Sequence, residues 1–316
     1  MVKARRGLFL ATILGSLAVS ATSARAYVRA VTDSGVPLWW RTPCITMEFY
    51  VGAPPPSMTA DQYLKASQMA AQAWSHGDVA CTGLIISVEK ESAATADIGL
   101  DGKNVIVFRQ DNWCQNGDAV DGPCYPSNAF AVTSDFKNDT TGEIGDADIE
   151  INAVNITWAD LVANPNLANS STADFQNTLT HEFGHVIGLA HPCYSLNDGP
   201  TVLKDNNGVD EPYCSSPDLP LSVIDATMYP DVPMSDTQRR TLSPDDEQAV
   251  CDIYPNTSAT CSSGSAPGCA VVALSDSHPS RGWTLGLVSG LAGLLLALAF
   301  RRSSLRRSHA RPRSAV

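Results

Sequence analysis

Acidic residues are missing from both ends of the chain, and basic residues are scarce between them. The 316 residues hold 21 Lys and Arg against 33 Asp and Glu, a formal net charge of −12. Four of the basic residues stand before residue 27 and six after residue 300, so the part between carries 21 − 10 = 11 against all 33, or −22. A surface of that sign argues against nucleic acid as a partner and suits solubility or calcium binding, without specifying a substrate. Histidine is scarce too, with six in all. His76, His278 and His309 stand apart, which leaves His181, His185 and His191 as the one histidine cluster.

The two ends read as addresses. Lys3, Arg5 and Arg6 precede an apolar run from Leu8 to Val19 and then Ala24-Arg25-Ala26, the layout of a secretory signal peptide over residues 1–26. Trp283 to Phe300 is an uncharged apolar span followed by six arginines from Arg301 to Arg313. Such a span is long enough to cross a bilayer as a helix over 283–300, with the basic tail 301–316 kept cytoplasmic. Gly286 and Gly290 form a GxxxG pair within it, a pattern that small residues produce by coincidence as well as at dimer faces.

Cysteine usage agrees with export. Eight of the nine cysteines fall at or before Cys261, an even number that reads as four disulfides in an oxidising compartment. Eight cysteines allow 105 pairings; the expected set is Cys114 with Cys124, Cys193 with Cys214, Cys251 with Cys261 and Cys44 with Cys81. Cys269 is left over, following Gly268 in a Ser-, Gly- and Pro-containing linker over 261–282. A Gly-Cys before an apolar helix and a basic end is similar to C-terminal surface-sorting signals of some bacteria, notably myxobacterial ones, which implies processing and anchoring at Cys269. An ordinary single-pass anchor with a spare thiol is the other reading.

Between these ends, residues 27–260 are long enough for one full core. Ile45, Met47, Phe49 and Val51 alternate as a strand does. After Pro54-Pro55-Pro56, the spacing predicts a helix over Thr59 to His76 with Tyr63, Leu64, Met69, Ala70, Ala73 and Trp74 on its apolar stripe. Leu84 to Val88 and Val105 to Phe108 read as buried parallel strands. Ala129 to Ser134 and Gly145 to Asn152 flank a turn at Asn138 to Gly142. A further helix is expected to start at Ser171 or Thr172, burying Phe175, Leu179, Phe183 and Ile187, and a last one at Pro244 behind Ser243.

The chemistry is concentrated in His181 to His191, which reads HEFGHVIGLAH. His181 and His185 are four apart on a helix, so both rings leave the same face and can share one ion. Gly188 tolerates the positive φ that lets the chain turn back and deliver His191. Three neutral nitrogens around a tetrahedral ion leave a fourth position open, as catalytic zinc sites do. Glu182 is offset around the helix, placed to reach a water on that ion.

HEFGHVIGLAH resembles the HExxHxxGxxH motif of the metzincin metalloproteases, and Ala226-Thr227-Met228-Tyr229-Pro230 resembles their methionine turn, in the Met-Tyr-Pro order of the matrixins. The resemblance implies an α+β fold: a twisted, mostly parallel five-stranded sheet with an antiparallel edge strand, an active-site helix and a C-terminal helix. It implies a catalytic Zn2+ on His181, His185 and His191, Glu182 as general base, and Met228 as an apolar floor. Ala129, Phe130, Ala131 and Val132 become the sheet edge on which a peptide substrate adds as a strand. Leu242-Ser243-Pro244-Asp245-Asp246 is similar to the matrixin segment whose acidic pair supports the methionine turn. No tyrosine ligand is implied, since Pro230 holds that position.

Several matrixin features are absent. Asp148 stands where that family places a histidine for a second zinc, which leaves Ca2+ through Asp146, Asp148 or Glu150 as the alternative. No Pro-Arg-Cys-Gly latency motif occurs; Cys44 is either an inhibitory thiolate or half of a disulfide. The gap between His191 and Met228 exceeds the matrixin norm, and its acidic run Asp205 to Glu211 is either a calcium loop or a solvated one. The expectation is a monomeric endopeptidase, exported and either secreted or held at a bacterial cell surface through its C-terminal segment. A non-catalytic surface binding module with a structural metal is the alternative. The presence of Glu182 argues against it.

Overall fold

The computed structural model describes residues 27–195, 201–256 and 261. The signal segment, most of the linker with Cys269, the apolar span 283–300 and the basic tail lie outside the described residues. No helix among the described residues is long and apolar enough to cross a membrane. In chain order the elements are β1 (Val28–Arg29), β2 (Cys44–Tyr50), α1 (Ala60–Trp74), β3 (Ile85–Glu91), β4 (Asn104–Arg109), β5 (Ala131–Lys137), β6 (Ile144–Asn152), β7 (Thr157–Ala159), β8 (Thr172–Asp174), α2 (Phe175–Val186), β9 (Leu189–Ala190), α3 (Leu221–Ile224) and α4 (Pro244–Ile253).

Five strands form one sheet in the order β3-β2-β4-β6-β5. The first four run parallel, and β5 lies antiparallel against β6 at the rim. Parallel neighbours need a crossover, and α1 supplies the one between β2 and β3. Thr59 caps α1 through a capping box with Gln62. One face of the sheet presents Met47, Phe49, Ile106, Phe108, Ile149 and Ile151 to α1 and α2, all in the same buried core. At its centre Phe49, Tyr63, Phe108, Trp158 and Phe175 contact one another with ring centroids 4.8–6.1 Å apart. The Trp74 indole of α1 donates to the Thr180 carbonyl of α2 at 2.7 Å, which ties the two helices together beside the core.

The other face of the sheet is polar where β6 shows Asp146, Asp148 and Glu150, each within 1 % of full burial. Asp146 accepts from the amides of Asp101 and Gly102, and Asp148 from those of Gly99 and Val105. Glu150 pairs with Arg109 at 2.5 Å and accepts from Asn116 N and Tyr125 Oη. These carboxylates therefore hold the loops over residues 95–125 in place. Among the described residues no group of three such carboxylates gathers to hold an ion.

Long-range docking overturns three local expectations. Cys44 pairs with Cys261 and Cys81 with Cys251, whereas Cys114–Cys124 and Cys193–Cys214 are as expected. The end of α4 packs on the loop before β3, where Thr82 Oγ1 and Gly83 N both donate to Tyr254 O. Cys251 thereby meets Cys81, and neither Cys251–Cys261 nor Cys44–Cys81 forms. With Cys44 in a disulfide, it is not a thiolate cap. Helix α2 begins at Phe175, not at Ser171 or Thr172, because Thr172–Asp174 pairs with β7 as a strand and Asp174 provides the cap, accepting from Asn177 N at 2.9 Å. Met69 is 44 % exposed, and Ala66 and Ala71 take its place on the buried stripe of α1.

Candidate metal centre

Helix α2 is buried along its whole length, so its polar side chains face protein on every side. His181 and His185 stand one turn apart, and their Nε2 atoms are separated by 3.1 Å. The helix stops at Ile187. Gly188 follows at φ +92°, and a Cβ there would lie 2.6 Å from the Leu38 carbonyl oxygen, so both conformation and space require glycine. The chain then pairs β9 with β1 and brings in His191, whose Nε2 lies 3.3 Å from that of His181 and 3.1 Å from that of His185.

The second nitrogens decide what this cluster can do. His181 Nδ1 lies 2.8 Å from the Thr227 carbonyl and His185 Nδ1 lies 2.9 Å from the Leu189 carbonyl. A carbonyl only accepts, so each Nδ1 carries the proton and each Nε2 of a neutral ring presents a lone pair. Burial holds the His181 imidazole well below its ordinary pKa, with the neighbouring His185 adding to the effect, and burial does the same to His191. Lone pairs that face each other at this distance are stabilised by a cation between them. A tetrahedral ion with bonds of about 2.0–2.1 Å holds its nitrogens about 3.3–3.4 Å apart. The observed 3.1–3.3 Å fits that arrangement, and these three residues are the metal-capable group among the described residues.

Glu182 is fully buried beside His181. Its Oε2 accepts from Thr133 Oγ1 at 2.6 Å, and its Oε1 has no hydrogen-bond partner. Burial raises its carboxyl to about 8; the hydroxyl of Thr133 opposes that shift and the charge of Asp135 adds to it. A divalent cation next to it would favour the ionised form.

The turn at Ala226-Thr227-Met228 closes under the helix. Thr227 holds His181 through its carbonyl and donates its amide to Asp246 Oδ2 at 2.7 Å, so the acidic segment does support the turn. Met228 is buried and packs on Gly184, where a Cβ would come within 2.1 Å of its sulfur. Arg239 is a contributor that the sequence did not flag. It donates to the carbonyls of Ala226 and Ile224 and pairs with Asp236, while its own amide donates to Asn177 Oδ1 of α2.

Ala131 and Val132 open β5 at the sheet rim, while Ala129 and Phe130 precede it, and all four are at most 5 % exposed. No strand pairs with the outer side of β5 among the described residues. After His191, Cys193 is tied to Cys214, and Val223 packs in the same cluster with Leu219 and Tyr229 against it. Its acidic run forms a turn in which Asp205 accepts from Asn207 N and Val209 N, and Asn206 N donates to Tyr27 O.

The fold and site thus define a mixed α/β domain with a mostly parallel sheet and a buried three-histidine cluster able to hold a metal ion. No family model matches the chain, and no curated protein matches it. Among solved structures, one to which it is similar is the structure of myroilysin, at 14% identity and a TM-score of 0.33, over 69% of this chain and 83% of that one.

Proposed function

We propose that this chain is a zinc-dependent endopeptidase of matrixin-like metzincin type, with His181, His185 and His191 as ligands and Glu182 as general base. The observation that carries this reading is the convergence of three imidazole lone pairs, at 3.1–3.3 Å, beside a carboxylate with one unpartnered oxygen. Three nitrogen ligands and an open fourth position suit zinc. When bound, zinc supplies Lewis acidity, which acidifies a water and stabilises negative charge on the scissile carbonyl oxygen.

The protein's own part is proton transfer and alignment. Glu182 Oε1 takes a proton from the attacking water as the water oxygen bonds to the carbonyl carbon. The carbon–nitrogen bond then breaks, and Glu182 passes that proton to the departing amine, so one water is consumed and Glu182 is regenerated. The outer rim of β5 is the place for an extended substrate to add as a strand. The four disulfides support an exported domain. The C-terminal segment is proposed as its membrane anchor.

Glu182→Gln tests the assignment, because the amide keeps the shape but accepts no proton. The variant is expected to fold, to bind zinc as the wild type does, and to lose peptide hydrolysis by roughly 100-fold or more. Full activity would contradict the base. A wild type that binds zinc and cleaves nothing would favour a binding module with a structural metal.

A further inference from the structure

Terminal rotation of a glutamate carboxylate is soft and roughly two-fold, so its two oxygens exchange roles unless something distinguishes them. At Glu182 a single contact does so. Thr133 of β5 donates from Oγ1 to Oε2 at 2.6 Å, within the short range of a hydroxyl bonded to a carboxylate, and Oε1 is left buried and unpartnered. Residues 131, 133 and 135 share one face of β5, and α2 packs against that strand. Thr133 is 2 % exposed, so water does not substitute for its hydroxyl. A valine would fill the same pleat with nearly the same shape and supply no donor.

We propose that Thr133 is a positioning residue for the reaction: its hydroxyl clamps Glu182 by Oε2 and thereby presents Oε1 as the atom that takes and returns the proton. This rests on the peptidase reading of the site. The clamp acts through Glu182 and touches neither substrate nor metal, so its loss slows the chemical step without weakening binding of either.

Thr133→Val and Thr133→Ser separate the hydroxyl from the packing. In Thr133→Val, kcat is expected to fall roughly 10- to 100-fold, the range for groups that orient a site from behind, with KM and zinc affinity by chelator competition as in the wild type. Thr133→Ser is expected to restore most of kcat. The Glu182 carboxylate infrared band, assigned by its loss in Glu182→Gln, should shift in Thr133→Val and return in Thr133→Ser. Should the valine disturb folding, Thr133→Ala provides the same readouts. Wild-type kcat in Thr133→Val, equal loss in Thr133→Ser, or a parallel loss of zinc affinity would overturn the proposal. If the wild type cleaves no peptide, the peptidase reading fails, and an unshifted band in Thr133→Val still refutes the clamp on its own.

Discussion

His181 and His185 each commit a ring proton to a backbone carbonyl, and that commitment turns two ordinary imidazoles into directed lone pairs. Binding of an ion to the folded state alone should therefore stabilise it. At a free zinc concentration about 100 times Kd the gain is about 2.7 kcal/mol, which for a domain of this size corresponds to roughly 5–10 °C in Tm. Calorimetry of chelated and zinc-loaded protein measures it directly, and His181→Ala should show no such rise. At this scale the three-histidine cluster was legible, because the spacing of four on a helix and the glycine before His191 are local properties of the chain. The contacts that hold Glu182 and the methionine turn were not. Thr133 reaches Glu182 across 49 positions, and Arg239 reaches Ala226 after a turn of the chain; neither contact leaves a periodic trace in sequence.

Among the elements, α2 shows how tertiary demands trim a periodic pattern. Its apolar spacing was readable, but Asp174 caps it instead of Ser171 or Thr172. The Asp174 carboxylate also accepts from Leu161 N and pairs with Arg240, which fixes the helix start from outside. The strands of the main sheet fell within three residues of expectation: alternation or an apolar run marks β2, β3 and β4, whereas the rim strand β5 was expected from the family resemblance alone. The two- and three-residue strands β1, β7, β8 and β9 are too short to carry a period, and only pairing creates them. Gly184 supplies a prediction at this scale. A methyl there meets Met228 sulfur at 2.1 Å and Trp74 at 3.0 Å. The methionine tip can move, but the indole is tied to Thr180, so Gly184→Ala is expected to cost about 1–3 kcal/mol by overpacking. Chemical denaturation checks this, and unchanged stability would mean that the turn is held less closely than described.

Across the whole molecule, the two longest disulfides join the strand region to the C-terminal end of the domain. Cys81–Cys251 spans 170 positions and Cys114–Cys124 spans 10. By loop entropy, removing the first is expected to cost roughly 5 kcal/mol and the second roughly 3. Non-reducing peptide mapping should recover Cys44 linked to Cys261 and Cys81 linked to Cys251; the expected sequence-near pairs would contradict the docking of α4. The buried acidic face of the sheet gives a pH signature. Burial raises the Asp148 carboxyl from 3.8 to about 8, with the charge of Asp146 adding to the shift. A raised folded-state value favours the protonated native form. Its contribution is fully present below about pH 4 and is lost as pH rises through about 8. Denaturation midpoints across that window should fall more steeply in the wild type than in Asp148→Asn, whose side chain stays neutral throughout.

The central claim is that the three-histidine centre is what cleaves peptides. The rate of hydrolysis of a quenched peptide library by the purified protein, first stripped by a chelator and then reloaded with zinc, tests it most directly. The account predicts that cleavage disappears on stripping and returns on reloading. Cleavage that survives complete metal removal, or its absence from fully zinc-loaded, folded protein, would contradict it.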